Sequence, residues 1–146
     1  MSGRVDGLAL IWPNDVLLTG GKVAGILLES LGGHLAIGIG VNLVTAPKPD
    51  EVEAHAVRPV SGLSALGVEV APEVFLDHLA VAFAEHEARF VTYGFAPIRE
   101  AWLARAARLG EGVTALMGNR QVQGTLVTID PDGRIVLATP RCREAI

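Results

Sequence analysis

The chain has 146 residues, half of them apolar and 19% charged, with 16 acidic against 12 basic residues for a formal net charge of −4. This hydrophobicity excludes an intrinsically disordered chain, and the acidic balance offers no general attraction for nucleic acid or an anionic membrane surface. The longest apolar stretches, such as Leu35–Val44, fall well short of the ~18 residues that span a bilayer.

In chain order, residues 7–44 read as three strands with a short extended run among them. Gly7–Trp12 is apolar and stops at Pro13-Asn14-Asp15, three turn formers. Val16–Leu18 is brief, and Thr19-Gly20-Gly21-Lys22 reads as a hairpin turn into Val23–Ser30. Leu31-Gly32-Gly33-His34 turns the chain into Leu35–Val44. These runs are nearly continuous in apolar residues, so the sheet is expected to be covered on part of its second face. Residues 45–60 hold prolines and charges and read as a loop. Ser61–Leu66 fits a short helix closed by Gly67. Pro72 suits the first position of a longer helix. Phe75, Leu79, Phe83, His86 and Phe90 recur at helical spacing, which predicts an amphipathic helix over 72–93. Pro97 starts another, with Ile98, Trp102 and Leu103 toward the core and Gly110 and Gly112 ending it.

From Val113 the period changes to two. Val113, Ala115 and Met117 alternate, Gly118-Asn119 turns, and Val122–Ile129 is a strand. Asp130-Pro131-Asp132-Gly133 is a strong turn before the strand Arg134–Ala138. Three short strands point to a small antiparallel sheet or SH3-like barrel, with a closing strand expected to be missing before Ile146. The chemistry-bearing residues are few. Cys142 is the sole cysteine, so neither an intrachain disulfide nor a cysteine-based metal cluster can form. Met1–Asp6 lacks the basic and apolar regions of a signal peptide, which reads as cytoplasmic.

Three neighbouring features stand out. Trp12-Pro13-Asn14-Asp15 is either an ordinary turn or a rigid corner that aims a carboxylate and an amide at a ligand. Lys22, one of two lysines in the chain, leads into a strand that contains Gly25. Glycine inside a strand costs stability unless something must approach the backbone. Gly38, Gly40 and Asn42 fall on one strand face, because side chains alternate. Two missing side chains leave a flat floor with an amide at its end, or else room for a bend or a closely packed helix. The pattern is not a dinucleotide-binding loop, since it lacks the third glycine and no helix follows.

Together these features resemble the biotin protein ligase family. Its block runs Lys-Trp-Pro-Asn-Asp, then Gly-Lys-Lys/Arg-Val-Ala-Gly-Ile-Leu-Val-Glu, then Gly-Ile-Gly-Ile-Asn. Here it stands as IWPNDVLLTGGKVAGILLE and AIGIGVNL, with matching spacing over residues 11–42. The resemblance implies an α+β fold: a mixed or antiparallel sheet packed by helices, of the class II synthetase-like biotin/lipoate ligase type, over residues 1–109. A small SH3-like barrel, expected to be incomplete, would occupy 110–146. It implies a reaction in which biotin and ATP form biotinyl-5′-AMP, from which a lysine of a biotin carboxyl carrier protein of acetyl-CoA carboxylase takes the biotin. Mg²⁺ is expected with ATP, and no metal ligands are assigned. By the resemblance, Lys22 contacts biotin and phosphate, and Asp15 belongs to the active-site network. Gly25, Gly38 and Gly40 line the biotin pocket, Asn42 lies on the nucleotide side, and Trp12, Pro13 and Asn14 shape the same wall.

Two departures matter. The residue before Trp12 is usually lysine in the family and here is Ile11. The family's upstream Gly-Arg-Gly-Arg-x-Gly-Arg loop, which supplies arginines for the phosphate, has no counterpart among the eleven residues before Trp12. The chain therefore reads as the C-terminal part of a ligase, inactive by itself. Two alternatives stay open: a non-catalytic homologue serving as a ligand-binding or interaction module, and a lipoate ligase relative. A homodimer also stays open.

Overall fold

A computed structural model describes residues 7–47, 59, 62–67 and 69–146. The expected loop over 45–60 falls mostly outside them, as does Ser61. The chain divides into two compact units, Met1–Val81 and Ala82–Ile146.

The first unit is built on an antiparallel sheet of four strands in sequential order: β1 (Leu8–Ile11), β2 (Asp15–Leu18), β3 (Gly21–Leu31) and β4 (His34–Val41). Val16–Leu18 is thus a full strand, a fourth where three were expected. It is short because the turns on both sides close tightly: Ile11 pairs with Asp15, and Leu18 pairs with Gly21. Thr19 (φ 50°) and Gly20 (φ 83°) take up the left-handed turn between β2 and β3. A single parallel bridge between Lys22 and Pro59 is the one departure from antiparallel pairing among the described residues.

One face of this sheet is apolar. Val16, Leu18, Val23, Ala24, Ile26, Ile39 and Val41 line a cavity of about 310 Å³ together with Leu63, Phe75 and Leu79. Leu63 belongs to a 3₁₀ turn, Leu63–Leu66, capped by Gly67 in the left-handed conformation as the sequence predicts. Phe75 and Leu79 come from α1, Pro72–Tyr93, whose bounds coincide with the predicted amphipathic segment.

The expected second cover is not found among the described residues. On the face opposite the cavity Leu27 is 62% and Leu31 82% exposed, and the far ends of β3 and β4 leave Leu28 and Leu35 exposed on the cavity face as well. Further along α1, Phe83 and Phe90 are exposed too. The apolar pattern announces that these surfaces can be buried, but burial requires a partner element, and none of the described residues supplies one.

The second unit holds the rest of α1, then α2 (Ala96–Leu103) and a second antiparallel sheet, β5 (Gly112–Met117), β6 (Arg120–Ile129), β7 (Ile135–Ala138) and β8 (Arg143–Ala145), again in sequential order. α2 ends earlier than its glycines predict. Bonds from Arg105 N to Trp102 O and from Ala106 N to Leu103 O tighten the chain after Leu103, and Arg108 turns left-handed at φ 60°. The Arg99 guanidinium ties α2 to β6, donating from Nε to Ile129 O (2.6 Å) and from Nη2 to Thr128 Oγ1 (3.1 Å).

The core of this unit is Val122, Leu126, Ile129, Ile135 and the fully buried Leu137. A fourth strand, β8, follows the three read from sequence. Thr139 N and Oγ1 both donate to Cys142 O, turning the chain so that Arg143–Ala145 pairs with β7. Ile146 then closes over the core, with its N–H on Ile135 O at 2.8 Å. A three-residue strand holding Arg143 and Glu144 carries almost no pattern of its own, which is why sequence reading misses it. The α+β class, with an antiparallel sheet packed by a helix and a small all-β terminal part, is as expected.

Candidate functional site

The β1–β2 turn carries Trp12, Pro13 and Asn14, and the Trp12–Pro13 peptide bond is cis. Asn14 clasps β3: its Nδ2 donates to Ile26 O at 2.6 Å, and its O accepts from Ile26 N at 3.0 Å. This pair of bonds extends the β2–β3 ladder past Asp15 and fixes where the Asp15 carboxylate stands.

Lys22 reaches that carboxylate through an irregularity. Val16 pairs with Ala24, but Leu17 pairs with Lys22, so Val23 is an extra residue in β3. Regular alternation from Gly25 would place Val23 beside it and Lys22 on the opposite, apolar face. The bulge puts Val23 and Ala24 both on the apolar cavity and returns Lys22 to the face of Asp15 and Gly25. Lys22 Nζ then lies 2.6 Å from Asp15 Oδ1, with the two side chains 38% and 22% exposed.

Gly25 pairs with Gly40, and Leu27 with Gly38. A Cβ at Gly38 would meet nothing nearer than Leu27 O at 3.7 Å, and one at Gly40 only Gly25 O at 3.9 Å. No helix or strand crowds these positions among the described residues, so their openness is not explained by packing. Asn14, Asp15, Lys22, Gly25, Gly38 and Gly40 line one open groove of about 450 Å³.

Two expected site residues lie outside that lining. Asn42 follows β4 behind Lys22, where its Nδ2 donates to Lys22 O at 3.3 Å and its N–H to Val23 O at 2.8 Å. Trp12 lies in the β1–β2 turn, half-buried. Ile11, at the position where the resembled family carries lysine, is the register partner of Asp15. Lys22 is therefore the one cation lining the groove among the described residues.

Sequence reading misses Gly62. Its N–H donates to Asn42 O at 2.6 Å, and a Cβ there would overlap Asn42 O and Val23 Cγ2. Nothing near residue 62 in sequence announces this close approach, because the crowding atoms come from β3 and the end of β4.

Residues 109–145 match the family model described as the biotin protein ligase C terminal domain. The whole chain is 54% identical to a biotin–[acetyl-CoA-carboxylase] ligase of Paracoccus denitrificans, over 99% of this chain and 62% of the relative. The bifunctional ligase/repressor BirA of Bacillus subtilis is 31% identical over 88% of this chain and 41% of its own length. The fold superposes on a biotin protein ligase of Aquifex aeolicus solved in complex with biotin and ATP, with a TM-score of 0.83 at 26% identity, covering 95% of this chain and 58% of that one. Along 99% of its length the chain is similar to a biotin protein ligase. It spans less than two thirds of the length of these ligases, and its second unit contains the stretch that matches their C-terminal domain.

Proposed function

We propose that the groove is the biotin and acyl-adenylate wall of a biotin protein ligase. The observation that carries this reading is the placement of Lys22 Nζ above Gly25, at the end of a floor made by Gly38 and Gly40, in a single groove. The relatives named above act as ligases by their descriptions, and one was solved with biotin and ATP.

The chemistry joins two anions. The biotin carboxylate attacks the α-phosphorus of ATP, pyrophosphate leaves, and biotinyl-5′-AMP forms. A lysine amine of the acceptor protein then attacks the acyl carbon, and AMP leaves as the new amide forms. Lys22 would stand between the carboxylate and the α-phosphate and offset the charge that builds there, a role typically worth ~3–4 kcal/mol for one well-placed donor. The glycine floor would take the flat ring system, which side chains at 38 and 40 would displace. Asp15 would hold Lys22 until substrate arrives. Asn42, Trp12 and Asn14 are assigned to the nucleotide side on the resemblance alone.

No group of three or more His, Cys, Asp or Glu among the described residues could hold a metal ion, and Asp15 is the one carboxylate lining the groove. These residues do not fit a resident metal, and Mg²⁺ is assigned instead to the nucleotide's own phosphates. The acceptor is read, on the resemblance, as a biotin carboxyl carrier protein of acetyl-CoA carboxylase, the enzyme that the description of the Paracoccus relative names, and the setting as cytoplasmic. No described helix is long and apolar enough to cross a membrane. Residues 1–109 are assigned to the catalytic part and 110–146 to the terminal domain.

The test is calorimetric titration with a stable biotinyl-AMP analogue. Lys22→Ala is expected to weaken binding by two to three orders of magnitude, the equivalent of ~3–4 kcal/mol, with an unchanged unfolding transition. Unchanged affinity removes Lys22 from the site.

A further inference from the structure

The three motif blocks meet on one side chain. The bulge at Val23 brings Lys22 to the groove face, where its aliphatic chain crosses directly over Gly25. A Cβ at position 25 would lie 3.1 Å from both Lys22 Cε and Nζ and 3.4 Å from Asp15 Oδ1. These distances are shorter than the roughly 3.5–4.0 Å at which carbon atoms pack without repulsion. The space that glycine leaves at 25 is therefore filled from within the chain, by lysine, unlike the open space at Gly38 and Gly40. Asp15 Oδ1 holds the ammonium at 2.6 Å. Asn42 holds the other end, donating from Nδ2 to the Lys22 carbonyl while its own N–H bonds Val23 O.

We propose that Asp15, Gly25 and Asn42 are positioning residues for Lys22, and that Gly25 serves to seat the lysine rather than to widen the ligand floor. A long, flexible side chain is fixed at its carbonyl, along its stem and at its charge. Its ammonium is thereby set in place before any anion enters the groove, which is how electrostatic stabilisation avoids a reorganisation cost during reaction. The consequence for catalysis rests on the ligase reading above, whereas the seating itself does not.

The crowding at residue 25 is with the far end of a movable side chain and with one carboxylate oxygen. Gly25→Ala should therefore keep the fold and dislodge Lys22. The chain has only two lysines, Lys22 and Lys48. A sample with ¹³C-labelled lysine gives two Cε signals, assigned with Lys48→Arg. A seated lysine has two distinct Hε shifts on Cε, and a freely rotating one has a single averaged shift. The unliganded parent is expected to show a resolved Hε pair for Lys22. Gly25→Ala and the isosteric Asp15→Asn should collapse it toward one shift, and Gly38→Ala should not.

A resolved pair that survives both Gly25→Ala and Asp15→Asn overturns the proposal. So does a collapse in Gly38→Ala as complete as in Gly25→Ala. Should Gly25→Ala fail to fold by its amide spectrum, Asp15→Asn alone decides. Titration of the same samples with the biotinyl-AMP analogue separates the two levels of inference. Collapse of the pair with unchanged affinity upholds the seating and counts against the ligase reading. Lost affinity with an intact pair refutes the seating while leaving that reading in place.

Discussion

Three glycines of the first unit show that the same residue is required for different reasons. Gly38 has open space above it, Gly25 has a lysine, and Gly62 has the backbone of Asn42 and the side chain of Val23. Gly38→Ala should hold stability or raise it slightly, because alanine restricts the unfolded chain and fits an extended strand without strain. The same change should weaken binding of the biotinyl-AMP analogue strongly, since the methyl group stands in the proposed floor. Gly62→Ala should do the reverse of a floor variant. Overlap with a backbone oxygen cannot be relieved by a rotamer change, so a stability loss of about 1–3 kcal/mol is expected. Urea unfolding of both variants beside titration of both checks the pair. A Gly38→Ala chain that binds normally would end the assignment of Gly38 to the pocket.

At the scale of elements, side chains in the second unit do work that backbone ladders do not. Arg99 is the polar tie from α2 to β6, with two bonds from one guanidinium. Arg99→Ala should cost about 1.5–3 kcal/mol, the range for hydrogen bonds made by charged groups. Arg99→Lys should recover little of it, because lysine cannot reproduce the fork. The β6–β7 turn depends on Asp130. Partial burial raises its pKa, but the Arg134 N–H, the Arg134 guanidinium and the Asp132 N–H together outweigh that and hold the carboxyl below its ordinary range. A lowered folded pKa means stability that is present above the unfolded value of about 3.9 and is lost as pH falls through the folded value. Asp130→Asn should therefore melt below the parent at pH 7. The gap should close as both are taken below pH 4, as followed by circular dichroism.

For the whole molecule, the arithmetic of charge limits what the groove can do. Adenylate formation brings a carboxylate against a triphosphate, and Lys22 is the only cation lining the groove among the described residues. Asp15 already partners it, and Ile11 stands where a second lysine would reach the same carboxylate. The 146-residue chain should therefore bind a biotinyl-AMP analogue more readily than it forms the adenylate. Pyrophosphate release from biotin and ATP is expected to stay at background while titration with the analogue gives measurable heat. That outcome would favour a binding module for this chain, and rapid release would show that further cations reach the site.

The sequence by itself determined what local chemistry controls. Helical spacing in Phe75, Leu79 and Phe83 set the bounds of α1, and Gly67 closed its 3₁₀ turn. The motif resemblance groups Asp15, Lys22, Gly25, Gly38 and Gly40 from sequence alone, and the structure places these five in the lining of one groove. Only the tertiary structure decided which face each residue serves. Strict alternation places Lys22 on the apolar side, and the bulge that moves it exists only in the pairing of β2 with β3. Asn14 reads as an amide offered to a ligand or a turn until Ile26 lies beside it, and Gly62 reads as one residue of a short helix until Asn42 does. Leu27 and Leu28 lie in a strand whose faces are expected to be partly covered, yet both are exposed. Propensity acts between neighbours in sequence, whereas register, side-chain seating and burial are set by residues far along the chain.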